Sequence, residues 1–293
     1  MIGSVKRAIA AAALISAAAA APAAAQGKSG LALGQTKDKT SHGGAAAAAA
    51  GSASPATSVS STSAPATSAS SALYYGSWLD DASTMTPGSA WLGLSTAYWK
   101  STTGRQFDAP VMMGAIGVSP RTQIGASVPI YHFRDVDGFS SNGVGTISMY
   151  GKLMLVDPAG SNGVGFAIAP LLQLAPASDQ RLGWALPVNV EARTRRARIY
   201  GSTGYFSRGS VFVTVAADVP AGRKASFTAN FGRSFASGSH ETDLGAGLAL
   251  FTSPTTSVFI SLGRAFMSDP AAAGGMSLGG GVSVTMPRPI RHP

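Results

Sequence analysis

The chain has 293 residues, no cysteine and a formal net charge of +9, and only 12% of its residues are charged, against about 25% in an average soluble domain. Disulfides and thiolate metal sites are excluded, and the mean hydropathy of +0.18 arises without an apolar run after residue 25 long enough to cross a membrane as a helix. The basic charge is spread over turns and termini, which points to anionic headgroups rather than to nucleic acid.

Residues 1–25 have the three regions of a secretory signal peptide: Lys6 and Arg7, an apolar run from Ala8 to Ala21, and Ala23-Ala24-Ala25 before Gln26. The run is short, mostly alanine, and ends at Pro22, so removal near Ala25 is expected rather than retention as an anchor. No Cys follows it, which excludes a lipoprotein-type anchor. Residues 26–72 are almost entirely Ala, Ser, Thr, Gly and Pro, including Ala45 to Ala50, Pro55 and Pro65. Such a stretch offers too little apolar surface to offset its ordering entropy and is expected to be a disordered tether on the periplasmic side. Only Lys28, Lys37 and Lys39 speak for a wall-binding or partner-binding arm instead. Residues 73–88 form a lead-in segment.

Residues 89–287 change character. Apolar residues recur at every second position, the strand period, between turns rich in Gly, Pro, Ser and Asp. Twelve segments are predicted: 90–101, 108–119, 122–133, 144–156, 164–175, 184–193, 197–207, 210–219, 224–236, 241–252, 256–267 and 276–286. In the third, Ile124, Ala126, Val128 and Ile130 interleave with Gln123, Gly125, Ser127 and Pro129. In the fourth, Ile147, Met149, Leu153 and Leu155 oppose Ser148, Tyr150 and Lys152. The sixth sets Trp184, Leu186, Val188 and Val190 against Ala185, Asn189, Glu191 and Arg193, and the eighth sets Val211, Val213, Val215 and Val219 against Thr214 and Asp218.

Each segment is near the nine to eleven residues that a tilted strand needs to cross a bilayer, and twelve is an even number, as single-chain bacterial barrels require. A water-soluble β-sandwich also alternates, but its polar face would carry the Lys, Glu and Thr of a solvated surface, whereas here that face is mostly Gly, Ala and Ser. The predicted fold is therefore all-β: a transmembrane antiparallel up-and-down β-barrel of twelve strands, preceded by the tether and followed by a tail over residues 288–293.

With the tether in the periplasm, the turns Ser119-Pro120, Asp157-Pro158, Thr194-Arg195, Pro220-Ala221-Gly222 and Ser253-Pro254 face that side. All five look compact, and the opposite side includes the longer stretches Arg134–Gly143, Pro176–Gly183 and Ser268–Gly275. That is the short-periplasmic, long-extracellular asymmetry of bacterial barrels.

The stretch from Val111 to Leu155 carries Ile116-Gly117-Val118-Ser119-Pro120-Arg121-Thr122-Gln123-Ile124-Gly125-Ala126-Ser127-Val128-Pro129-Ile130-Tyr131 and Gly143-Val144-Gly145-Thr146-Ile147-Ser148-Met149-Tyr150-Gly151-Lys152. Together with Ser257-Val258-Phe259-Ile260-Ser261-Leu262-Gly263-Arg264-Ala265-Phe266, it resembles outer-membrane barrels of the phenol-degradation-pathway transporter type. The resemblance implies a twelve-stranded barrel in the bacterial outer membrane, inserted by the barrel-assembly machinery, with a role in uptake of small hydrophobic compounds. Many outer-membrane barrels end in an aromatic residue, whereas here Met286-Pro287-Arg288-Pro289-Ile290-Arg291-His292-Pro293 follows the last segment.

Inward parity makes Gln123, Lys152, Gln173, Asn189, Glu191, Arg193, Asp218, Asn230 and Asp243 the lumen candidates. Their mixed signs suggest cross-barrel ion pairs, which either plug a barrel or line a selective path. Arg233 and Arg264, in the near-copies Phe231-Gly232-Arg233-Ser234-Phe235 and Leu262-Gly263-Arg264-Ala265-Phe266, share the parity of the lipid-facing residues. An Arg there costs about 2–4 kcal/mol at mid-bilayer and about 0–1 near the interface. Both are thus expected at the rim, either contacting lipopolysaccharide phosphates or snorkelling.

His132, His240 and His292 have no metal-ligand or triad spacing, and Asp135-Val136-Asp137-Gly138 lacks the closing Glu of a calcium loop and is expected to be a turn. No catalytic set, cofactor motif or metal site is expected. The functional expectation is a passive channel or transporter for small, hydrophobic molecules; the alternative is a structural or adhesion-type barrel with a closed lumen.

Overall fold

The computed structural model describes the chain from Asp80 to Pro287, apart from residues 102–103, 160–162, 177–181, 195, 208, 237–238 and 268–274. The predicted signal peptide, the tether, residues 73–79 of the lead-in segment and the tail lie outside the described residues.

Fourteen strands form one antiparallel sheet: β1 Ala90–Ser101, β2 Gly104–Ser119, β3 Thr122–Asp135, β4 Ser140–Val144, β5 Ile147–Val156, β6 Val164–Ile168, β7 Leu171–Leu174, β8 Leu182–Arg193, β9 Arg198–Phe206, β10 Ser210–Pro220, β11 Ala225–Ala236, β12 Ser239–Phe251, β13 Thr256–Met267 and β14 Gly275–Met286. The sheet closes on itself, because β1 pairs with both β2 and β14 and β3 pairs with β5. Two crossings are interrupted. β4 and β5 both pair with β3 and are parted at Gly145-Thr146, while β6 and β7 both pair with β5 and β8 and are parted at Ala169-Pro170. Fourteen strands thus make twelve crossings, and the architecture is a closed twelve-stranded barrel.

Each interruption has a proline beside it, and a proline gives the ladder no N–H. Pro170 lies within the second break, and Pro129 and Pro187 on the neighbouring strands accept from Gly145 N (2.9 Å) and Ala169 N (3.0 Å). Side chains alternate as the period demands: Leu92, Leu94, Ile124, Leu186, Phe227, Ile260 and Leu262 lie exposed on the outside, whereas Trp91, Gln123, Ser127, Ala185, Phe212 and Phe259 are buried inside.

We call the end where β1 starts the base and the opposite end the rim. The expected difference in loop length between them is weak. Arg134–Gly143 folds largely as a hairpin, with Ile130–Arg134 paired to Ser140–Val144, which leaves residues 136–139 as the connection. Asp135 accepts from Phe139 N at 2.8 Å within this turn, where Gly138 has φ 92°. At the base, the connection that begins Asp157-Pro158 runs to residue 163 rather than closing at once.

Candidate functional site

The described chain begins inside the barrel. Asp80 N donates to Ser202 Oγ at 3.0 Å, and Ser202 Oγ donates back to Asp80 O at 3.2 Å, which places Asp80 level with the middle of β9. From there residues 80–88 descend to the base, where Thr84 Oγ1 donates to Pro120 O at 3.2 Å and Gly88 N to Gly117 O at 2.8 Å. Gly117 permits this approach, since a Cβ there would run into the Thr86 carbonyl. Met85 packs with Trp91, Val111, Met113, Ala115 and Tyr150 in an apolar cluster within the lumen.

Charge holds the rest of the segment. Lys152 Nζ donates to Asp80 Oδ1 at 2.8 Å, Asp81 Oδ1 at 3.0 Å and Ser83 O at 3.1 Å, so its three protons each have an acceptor. Asp81 Oδ2 accepts from Arg198 Nη1 at 2.8 Å, and Arg198 Nη2 reaches Asp218 Oδ2 at 2.6 Å. Thr228 Oγ1 and Tyr200 OH donate to the other Asp218 oxygen. Ser83 Oγ donates to Glu191 Oε2 at 2.7 Å and accepts from Arg193, which itself pairs with Glu191. Asn189 Nδ2 reaches Asp80 Oδ2 at 3.1 Å, and Met85 N reaches Gln123 Oε1 at 2.9 Å. The cations Lys152, Arg193 and Arg198 face the carboxylates Asp80, Asp81, Glu191 and Asp218. Without the segment, the fully buried Lys152 loses both of its counter-charges.

Of the predicted lumen residues, Gln123, Lys152, Asn189, Glu191, Arg193 and Asp218 are brought together here. Gln173, Asn230 and Asp243 are not; they lie on strands nearer the rim and make no bond to the segment among the described contacts. The expected cross-barrel ion pairs take a different form. Lys152 and Arg198 are joined through the inserted segment, while Glu191–Arg193 and Arg198–Asp218 are pairs within one strand or between neighbours. Asp80, Asp81, Ser83 and Arg198 were missed by sequence reasoning, although Asp80-Asp81 is the chain's only adjacent pair of acids and Arg198 has inward parity with Tyr200 and Ser202.

Above the segment, Ser127, Ser148 and Gln173 stand opposite one another on β3, β5 and β7. Ser127 Oγ, Ser148 Oγ and Gln173 Nε2 find no hydrogen-bond partner among the described residues, leaving polar atoms aimed at the lumen. Arg233 and Arg264 lie on the outer face, each with its guanidinium 5.0 Å from the ring centre of Phe235 or Phe266.

Asp80 belongs to none of the strands. Burial pushes its carboxyl up to about 7, against the pull of Lys152 and with the help of Asp81. A released segment returns this group to the ordinary carboxylate range, about 3.9, so the docked state binds more protons than the released one. Docking is therefore strongest below that lower value and weakens as pH rises through about 7. Cleavage at 80–88 by an added protease is expected to speed up between pH 5 and pH 8, after correction for the protease's own profile, and Asp80→Asn should flatten the trend. An unchanged slope in that variant would assign the dependence to another group.

The barrel resembles, at 10% identity, an outer-membrane channel from Pseudomonas putida F1, with a TM-score of 0.55 over 70% of this chain and 98% of that one. It also resembles the NanC porin, at 9% identity and a TM-score of 0.51 over 66% of this chain and 98% of that one. No family model and no curated protein matches the chain. The likeness is one of fold: a closed antiparallel β-barrel shared with these two proteins.

Proposed function

We propose that the chain is a bacterial outer-membrane channel for passive passage of small, hydrophobic molecules, closed at its base by its own N-terminal segment. One observation carries this reading. The element that fills the lumen is held mainly by side chains, through Lys152, Arg198, Glu191 and Gln123, and not by a strand ladder with the wall. Such an element can leave while the barrel's backbone pairing stays intact.

The aromatic groups Trp91, Phe206, Phe212 and Phe259 on the inner wall suit an apolar permeant, in keeping with the resemblance to the phenol-degradation-pathway type. The base is taken to face the periplasm and the rim the exterior, with insertion by the barrel-assembly machinery. The alternative, a structural barrel with a closed lumen, draws on the same packed base, where Met85 and its neighbours exclude water.

Single-channel recording on the mature chain and on a form lacking residues 80–88 separates the two. A channel gives small or rare openings with the segment present and large, stable ones without it. Silence from both forms, with heat-modifiable migration showing that each is folded and inserted, overturns the channel reading.

A further inference from the structure

The charges on the strands are sorted by face. Lys152, Arg193 and Arg198 point inward near the base, whereas Lys100, Arg105, Arg134, Arg233 and Arg264 share the outward parity of the exposed apolar residues. All five outward cations lie within three positions of the rim end of their strands. The carboxylates on described strand positions, Asp108, Asp135, Glu191, Asp218, Glu241 and Asp243, all have inward parity. Among the described residues, then, the outer wall offers its cations no strand carboxylate.

The strand register makes the arrangement sharper. Lys100 stands opposite Arg105, and Arg105 opposite Arg134, across β1, β2 and β3; on the other side Lys100 and Arg264 both stand opposite Met276 of β14. Like charges directly opposed in a ladder destabilise it, so three in a row call for an anion between them. Each cation also has a ring two positions away on its own strand face: Tyr98, Phe107, His132, Phe235 and Phe266. Tyr98, Phe107 and His132 are themselves in register, forming a row beneath Lys100, Arg105 and Arg134 on the bilayer side.

We infer that this outward belt is a binding site for the phosphorylated headgroup of an outer-leaflet glycolipid, namely the phosphates of lipopolysaccharide. Lys100, Arg105 and Arg134 form its centre, and Arg264 and Arg233 extend it. A headgroup phosphate carries the charge that the row lacks, acyl chains lie along the exposed Leu94, Leu262 and Leu278, and Tyr98, Phe107 and His132 sit at the interface between them. The inference rests on the outer-membrane reading, and it adds an orientation: the belt fixes the rim in the outer leaflet.

The test uses native mass spectrometry of the detergent-purified full chain, titrated with diphosphoryl lipid A and with its fully dephosphorylated form. The wild-type chain is expected to bind the diphosphoryl form at least tenfold more tightly. The triple variant Lys100→Gln, Arg105→Gln, Arg134→Gln is expected to lose that preference while keeping heat-modifiable migration. The double variant Arg223→Gln, Lys224→Gln, in an exposed turn at the base, is expected to keep it. Equal binding of the two lipids by the wild-type chain overturns the inference whether or not the triple variant folds. Undiminished preference in a folded triple variant overturns it too, as does loss of preference in the base variant. A folded barrel that conducts but shows no lipid preference sinks this inference alone and leaves the channel standing.

Discussion

Replacing Asp81 by alanine is expected to open the barrel at its base. The carboxylate sits between two cations, 3.0 Å from Lys152 Nζ and 2.8 Å from Arg198 Nη1, and only 1% of its side chain is exposed. Removing one partner from a buried ion pair costs about 3–5 kcal/mol, because the other charge is left without compensation. At about 1.4 kcal/mol for each factor of ten, the docked state loses roughly two to four orders of magnitude in population relative to the released state. The released state relieves the strain directly: once the segment leaves, water solvates Lys152 and Arg198. Single-channel records should therefore show Asp81→Ala open for most of the trace, while Asp81→Glu, which keeps the charge, stays nearer the wild type. Identical records from Asp81→Ala and the wild-type chain would mean that the apolar packing of Met85 holds the segment alone.

The second large effect concerns the outer wall. Ile260 lies midway along β13, opposite Leu248 and Gly280, and is 53% exposed. On a soluble protein an arginine at such a place would be tolerated. In a bilayer it costs about 2–4 kcal/mol at the midplane, the spread reflecting depth. Ile260→Arg is accordingly expected to lower the unfolding free energy in phospholipid vesicles by that amount, and Ile260→Leu to leave it unchanged. Equal stability of Ile260→Arg and the parent chain would remove the hydrocarbon from around this face.

The two-residue alternation made the barrel legible because the strands set large exposed apolar residues on the outer face against small or polar ones on the inner face. The segments 90–101 and 256–267 coincide with β1 and β13. Pattern within a segment does not reveal what its neighbour offers, however. The breaks at Gly145-Thr146 and Ala169-Pro170 follow from prolines on adjoining strands, and the hairpin of β3 with β4 looked like a loop because Asp135, Gly138, Ser140 and Ser141 are turn formers.

The same limit applied to the two sites. Residues 80–88 have no periodicity, and their partners on the wall are 29 to 122 positions away, so only the Asp80-Asp81 doublet could have hinted at a docking role. On the outer face, Arg233 and Arg264 were legible from parity alone. Arg105 was hidden by the register shift between Asp108 and Val111, which reverses the phase of β2 and turns odd-numbered residues outward above it and inward below.

The pairing of β1 with β14 has a bearing on how the molecule assembles. It runs unshifted from Ala90 opposite Met286 to Ser101 opposite Gly275, joining the first and last strands of the cylinder. Every other neighbouring pair of crossings can zip as a local hairpin, but this seam must close the longest loop in the polypeptide. Chain entropy therefore assigns it to the final stage of maturation, when the other eleven pairings already hold the chain as a curled ribbon. At that stage Gly279, Gly280 and Gly281 on the incoming edge present almost no side-chain bulk, so the two margins can meet backbone to backbone.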